Sequence, residues 1–346
     1  MKNKYWSNRT AFLRHHEDLF KKSDTLYENL AYQYDVAIKK SREEIEIFYH
    51  RFAANNKIFL SDARKLLNNR ELKEFKMDVR EYIEKGKTLN YSSEWTRTLE
   101  NASIKYRISR LEALIFQMRQ QVETLAALED SGLKDVMSRT YSQNYYQTIY
   151  EIQKDLGVSY PFAKLDSDKI NKILSLPWTP DGSNFSKRIW GEQRPQLVRT
   201  LETDFTQAII RGDAPDKIIK KIAHDFDVSR HRAANLIQTE SAFFASQSAK
   251  DAFLESDVER YQVLATLDGK TSDICQSMDG KIFPMGQYEV GITAPPFHNF
   301  CRSTIMPVID EDFKKSEMRA ARTKKSREYT TIPANMTYKQ WYAKYV

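Results

Sequence analysis

DGKTSDICQSMDGKIFPMGQYEVGITAPPFHNFCRST, residues 268–304, holds both cysteines of the chain, Cys275 and Cys301, together with His298. Turn signals punctuate it: Asp268-Gly269-Lys270, Met278-Asp279-Gly280 and the pair Pro295-Pro296. Just upstream, Tyr261, Val263, Ala265 and Leu267 alternate with Gln262, Leu264 and Thr266, the two-residue period of a strand. Lys281-Ile282-Phe283 after the Asp279-Gly280 turn predicts a tight hairpin, and residues 302–308 a returning last strand. A β module this small buries too little apolar surface to stand by itself. It requires packing against a long helix, a metal clip, or both.

Thiolate and imidazole ligands at this spacing are what a tetrahedral Zn²⁺ site uses, which makes Cys275, His298 and Cys301 candidate ligands. Asp268, Asp273 and Asp279 are candidates for a fourth position, and a water would also serve. Two other readings stay open at this point. The thiols can be reduced packing residues, or they can form a Cys275–Cys301 disulfide, which a cytosolic compartment disfavours.

The same residues carry a resemblance. Leu267-Asp268-x-x-Thr271-x-x-x-Cys275-x-x-x-Asp279-Gly280-Lys281-x-Phe283, followed by Pro295-Pro296-x-His298-x-x-Cys301-Arg302-Ser303, resembles the signature of the phage Mu F-like head morphogenesis proteins. Leu236-Ile237-Gln238-Thr239-Glu240, with Ser241, is similar to that family's Leu-Ile-x-Thr-Glu helix. Asn184-Phe185-Ser186-x-Arg188-Ile189-Trp190 and Tyr5-Trp6-x-x-Arg9 are similar to the firmicute-phage minor capsid branch. The resemblance implies a minor capsid component, located in the head interior of a tailed phage and made in the host cytoplasm. Its implied partners are portal, capsid or scaffold proteins and the packaged double-stranded DNA. It also implies structural roles for Thr239, Glu240, Asp268, Asp279, Gly280, Pro295, Pro296 and Arg302, with Glu240 facing the β module.

Composition sets the rest of the frame. At 346 residues the chain is long enough for two or three packing units. It has no apolar run long enough to span a bilayer, and MKNKYWSNRT at its start leads into charged helix rather than an apolar signal core. Cytoplasmic synthesis and no membrane partner are therefore expected. A formal charge of +7 suits a polyanionic partner, although 47 acidic residues offset most of the 54 basic ones.

The expected fold is mainly α (α+β): a long helical N-terminal arm, then a helical segment packed on a small C-terminal β module. Residues 1–158 contain no proline and read as an elongated helical domain. Apolar spacing predicts helices over 24–52, 61–84 (ended by Gly86), 103–129 (ended by Gly132) and 132–156. In the last of these, Tyr141, Tyr145, Tyr146 and Tyr150 read as a helix-packing surface, with nucleic-acid stacking as the alternative. Residues 159–195, broken by Pro161, Pro177, Pro180, Gly182 and Gly191, read as a hinge whose Trp178 and Trp190 pin it to a neighbouring surface. Residues 196–309 form the module that carries the resemblance, with helices over 196–211, 213–226 and 229–256 before the strands. The turn at 225–230 gives the last two a helix-turn-helix look.

Residues 310–346 form a basic tail. Lys314, Lys315, Arg319, Arg322, Lys324, Lys325 and Arg327 are candidate contacts to DNA phosphates or a capsid partner, and Tyr338, Trp341, Tyr342 and Tyr345 a docking end.

Catalysis finds little support in the sequence. Neither a Gly-x-x-x-x-Gly-Lys-Ser/Thr nor a Gly-x-Gly-x-x-Gly loop occurs, and the deaminase pattern His-x-Glu with Pro-Cys-x-x-Cys is missing. No enzyme is expected. A Zn-dependent nuclease, using His298 with nearby carboxylates, is one alternative, and a free-standing DNA-binding protein is another.

Overall fold

The computed structural model describes residues 2–51, 60–266, 271–309, 330–331 and 338–346. Asp268 and the tail cations Lys314, Lys315, Arg319, Arg322, Lys324, Lys325 and Arg327 lie outside the described residues. The fold is mainly α with a small antiparallel sheet near the C-terminus. In chain order the helices are α1 (Lys2–His50), α2 (Leu60–Ala63), α3 (Asn69–Leu89), α4 (Ser93–Ile104), α5 (Arg110–Leu156), α6 (Ser167–Leu174), α7 (Phe185–Arg188), α8 (Arg194–Arg211), α9 (Pro215–Glu255), α10 (Asp273–Met278) and α11 (Tyr338–Tyr345). The strands are β1 (Val158–Ser159), β2 (Arg260–Leu264), β3 (Ile282–Pro284), β4 (Thr304–Pro307) and β5 (Thr330–Thr331). Among the described residues no helix is long and apolar enough to cross a membrane.

Backbone contacts divide the chain into two compact units: Met1–Thr25, Lys134–Gly182 and Asn235–Val346 in one, Leu26–Leu133 and Ser183–Ala234 in the other. Helices α1, α5 and α9 each contribute residues to both.

The second unit is helical. Tyr34, Ile45 and Phe48 of α1 share a core with Leu114, Met118 and Val122 of α5, Leu201 and Phe205 of α8, and Ile222 and Phe226 of α9. A second cluster joins Phe75 and Val79 of α3 to Trp95 and Leu99 of α4 and Ala127 of α5. Asn68 starts α3 with a full capping box, its side chain accepting from the Glu71 amide while the Glu71 carboxylate accepts from Asn68 N–H. Arg194, at the start of α8, donates from Nε to both Glu123 carboxylate oxygens at 2.9 Å, and the Glu123 side chain is fully buried.

Several predicted helix ends are not ends. Helix α5 runs unbroken for 47 residues through Gly132. A Cβ on Gly132 would come within 2.5 Å of Leu26 Cδ1, so this glycine permits a close helix approach and stops nothing. Gly86 likewise lies inside α3, where a Cβ would meet the Tyr91 ring at 2.7 Å, and Asn90 at φ 53° closes the helix instead. The residues before Arg110 leave the predicted stripe: Ile104 ends α4 and is 68% exposed.

The expected helix-turn-helix at 225–230 is replaced by a single 41-residue helix, α9. No glycine or proline interrupts Asp225–Arg230, Phe226 is fully buried, and Ser229 spends its hydroxyl on Tyr34 at 3.1 Å rather than on a cap.

The first unit contains the sheet, ordered β3-β2-β4 with both pairs antiparallel. Tyr261, Gln262, Val263 and Leu264 of the central strand are all buried, as expected of a strand covered on both faces. Their apolar partners include Ala249 and Phe253 of α9, Ile305 of β4 and Met278 of α10. The segment predicted as a tight hairpin places the short helix α10 between β2 and β3.

The tyrosine stripe of α5 packs inside this unit. Tyr141 donates to Asp251 Oδ2 (2.5 Å), Tyr145 donates to the Ala163 carbonyl (2.8 Å), and Tyr146 accepts from Leu165 N–H (2.8 Å). The C-terminal helix docks beside it, with the Tyr342 ring 5.5 Å from that of Tyr146.

Removing one member of a buried, hydrogen-bonded ion pair strands the other charge. Glu123→Ala is expected to lower the stability of the helical unit by about 3 kcal/mol or more, measured by urea denaturation. A loss within about 0.5 kcal/mol, the range of ordinary surface substitutions, would show that Arg194 finds an equivalent partner.

Candidate metal centre

Ser272 caps α10 by accepting the Cys275 amide at 3.3 Å, which places Cys275 in the first turn of that helix. His298 and Cys301 sit on the connection between β3 and β4, joined by a Cys301 N–H to His298 carbonyl bond of 3.2 Å. Strand register brings these connections together. Ile282, the first residue of β3, pairs with Gln262, and Thr304, the first of β4, pairs with Leu264. Both connections therefore arrive at the end of the sheet where β2 finishes.

The result is a compact group. Among the described residues Cys275, His298 and Cys301 are the cluster that could hold a metal ion, with ligand atoms all within 4.8 Å of one another. Cys275 Sγ lies 3.1 Å from His298 Nε2 and 3.7 Å from Cys301 Sγ. Both cysteines are buried and free, so the disulfide reading does not describe this state. Neither Asp273 nor Asp279 joins the group.

Histidine tautomerism follows from the neighbours. Nδ1 faces the Asn299 carbonyl at 2.6 Å, and a carbonyl only accepts, so Nδ1 carries the proton. Nε2 is left with its lone pair toward Cys275 and the Ser272 hydroxyl at 2.7 Å. A ring proton fixed by a backbone carbonyl is the usual support of a metal-binding imidazole.

The two sulfurs do not titrate alike. The Cys301 thiol, then the hydroxyls of Ser272 and Ser303 and the His298 ring, hold Cys275 well below the usual thiol range against its burial. The same Cys275 sulfur, followed by burial, pushes Cys301 up. A bound cation would displace the proton of each thiol it ligates.

The surrounding motif residues shape this end of the module. Asp279 Oδ1 accepts the Ala265 amide at 2.8 Å and so closes the exit of β2. Gly280, at φ 78°, donates its N–H to the Val263 carbonyl and accepts from Gln262 Nε2. Gly280 occupies a backbone conformation that side chains rarely adopt. The Pro295–Pro296 bond is cis. The Arg302 carbonyl accepts from the Thr266 hydroxyl at 3.0 Å and from His16 Nε2 at 3.2 Å.

Helix α9 supplies the backing. Thr239 Oγ1 accepts the Phe300 amide at 3.2 Å and donates to Asn235 Oδ1 at 3.0 Å. Glu240, 1% exposed, accepts from Trp178 Nε1 at 3.0 Å, and the Trp178 ring stacks on Phe243 with centroids 4.7 Å apart. Gln238 donates to Asp24, and the Ser241 hydroxyl meets Ser23 at 2.6 Å. His16 carried no signal in the sequence reading. Its only mark is a histidine on a helix face shared with Phe20, which its ring contacts at 4.6 Å.

Trp178→Phe keeps the stack on Phe243 but removes a donor from a buried carboxylate, at an expected cost of about 1–3 kcal/mol in chemical denaturation. An unchanged midpoint would show that the indole N–H is dispensable. Burial, helped by neighbouring His15, pushes the His16 pKa from 6.5 down to about 3. The unfolded chain therefore takes up a proton in that interval that the folded chain refuses. The stability from neutral His16 is full above pH 6.5 and falls as pH drops toward 3, by about 1.4 kcal/mol per pH unit. His16→Gln retains an N–H donor for the Arg302 carbonyl and should flatten that slope by roughly one proton in pH-dependent denaturation. An unaltered slope would place the proton uptake elsewhere.

Residues 199–306 match the family described as Phage Mu protein F like protein. No curated protein and no solved structure matches the chain. The matched span covers most of α8, all of α9 and the β module as far as Met306, including Thr239, Glu240 and the whole Cys–His–Cys group. Over residues 199–306 this helix-backed module is similar to the phage Mu F-like head morphogenesis family.

Proposed function

We propose that the chain is a minor capsid protein of a tailed phage, working in the head as a contact-making component rather than through turnover. The family match over residues 199–306 is the observation that carries this reading. Portal, coat or scaffold proteins are the partners it engages during procapsid assembly, and packaged double-stranded DNA is the polyanion its +7 charge suits.

Zn²⁺ is the ion that best suits the donor set. Two thiolates on one tetrahedral Zn²⁺ stand about 3.8 Å apart, given bonds of about 2.3 Å. The Cys275–Cys301 separation is 3.7 Å. Cys275, Cys301 and His298 Nε2 would hold the ion, which would supply a clamp between α10 and the connection leading into β4. Two thiolates and one imidazole leave a fourth position to be filled, by Asp268, which lies outside the described residues, or by water.

Particles disrupted under mild conditions should release this chain together with portal protein, recovered by affinity capture of either. Separation of the two at every salt concentration would overturn the portal assignment. Metal analysis of the purified chain should give one zinc per chain, and Cys301→Ser should abolish it. In the same variant limited proteolysis should open residues 257–309 while leaving the α3–α4–α5 core protected. A variant with full zinc content and an unchanged cleavage pattern would remove the clamp.

A further inference from the structure

Free buried thiols 3.7 Å apart are close enough to do something a metal clamp alone does not require. We propose that Cys275 and Cys301 are a redox-modification site: hydrogen peroxide converts them to a disulfide that replaces the metal as the lock on the β module. The proposal rests on the reading of the cluster as that lock.

Four features carry it. A disulfide requires sulfurs at about 2.05 Å, and here the two sulfurs already stand in van der Waals contact at 3.7 Å. Cys275 has His298 Nε2 at 3.1 Å as a proton acceptor, whereas Cys301 is fully buried behind it and faces Cys275. Reaction at Cys275 therefore leaves a resolving thiol next to the oxidised sulfur. Both sulfurs are nearly closed to solvent, at 3% and 0% residue exposure, which excludes bulky disulfides. His298 is only partly buried and marks the open side.

The chemistry balances in two steps. The Cys275 thiol attacks one peroxide oxygen, the O–O bond breaks, and Cys275 sulfenic acid and one water form. The Cys301 sulfur then attacks the Cys275 sulfur, the S–O bond breaks, and a second water leaves with the Cys301 proton. Each sulfur loses one electron to the S–S bond, and the two peroxide oxygens are reduced to water.

The two locks exclude each other. Thiolates ligate the ion and disulfide sulfurs do not serve in their place, so oxidation expels the metal. The connection before β3 nevertheless stays tied to the connection before β4. A reducing cytosol keeps the thiols free for metal, and an oxidising exterior favours the covalent form.

The test uses the full chain, stripped with a chelator and treated with hydrogen peroxide under native conditions. Intact mass should fall by two hydrogens, both thiols should be lost to alkylation, and peptide mapping should recover a Cys275–Cys301 crosslink. The same treatment in urea, where the sulfurs are no longer held side by side, should give less crosslink. Zinc loaded beforehand should be released, read with a chromophoric chelator, in step with thiol loss. Sulfinic acid on Cys275 with Cys301 still free, or two unreacted thiols, would overturn the proposal. Cys301→Ser should trap Cys275 as a sulfenic acid captured by a dione reagent, and if that variant fails to fold the wild-type crosslink map decides. A crosslink in a chain that never bound zinc would sink the metal reading and the exchange of locks, and leave the thiol pair as a peroxide-sensitive site alone. Zinc binding without a crosslink would do the reverse.

Discussion

Thr239 on α9 accepts the Phe300 amide, and this bond fixes the connection carrying His298 and Cys301 to the helix that backs the sheet. Its neighbours on α9 act alongside it. An α-helix advances about 100° per residue, so four consecutive side chains point in four directions while the first and fourth share a face. Gln238 and Ser241 accordingly meet adjacent residues of α1, Asp24 and Ser23. Thr239 turns to the Phe300 connection and Glu240 to the Trp178 loop. Where a helix is buried, its polar groups must be satisfied by neighbouring segments, because water cannot reach them. The Gln-Thr-Glu-Ser run is therefore a polar hub that ties α1, the Phe300 connection and the Trp178 loop to one helix.

That hub explains how strands of five, three and four residues persist. So small a sheet gains too little from burial to offset the ordering of its long connections. Helix α9 contributes the apolar wall through Ala249 and Phe253, and the hub contributes direction. Cys275 and Cys301 pack with Ala242 of the same helix, so the segment around Phe300 is held by helix and cluster alike.

Much of this was legible in the chain. The strand at 260–264 followed from two-residue alternation, and the density of thiol and imidazole in residues 268–304 marked the cluster before any geometry did. The α5 tyrosines read as packing and pack, because their hydroxyls find Asp251, the Ala163 carbonyl and the Leu165 amide inside the unit. Helix boundaries were legible only where a break is chemical. Glycine ends a helix when it sits at a left-handed position, as Gly212 does at φ 72° after α8. Gly132 and Gly86 look the same in sequence but serve contacts with Leu26 and Tyr91 that no local pattern announces. The turn expected at 225–230 failed similarly: Ser229 resembles a cap until its distant partner, Tyr34, is known. His16 was invisible because its importance comes from the Arg302 carbonyl, 286 residues away.

Where the cluster sits in the topology shows why it takes its lock from two separate connections. The chain between Cys275 and Cys301 contains β3 and the turn that follows, separated by 26 positions. This insert is already pinned at its far end, where Tyr261 donates to the Thr293 carbonyl and Tyr288 meets Ser246 of α9 at 2.8 Å. Its near end starts with the two short backbone pairings that open β3 and β4. Closing a loop of this length from the unfolded chain costs about 3 kcal/mol of entropy, and a cross-link removes most of that cost in advance. A cross-link at the far end would duplicate the tyrosine contacts. Placed at the near end, it ties down the side on which β2 leaves the sheet, where Ser272 also meets His298 across the two connections and Asp279, Thr266 and His16 hold their flanks.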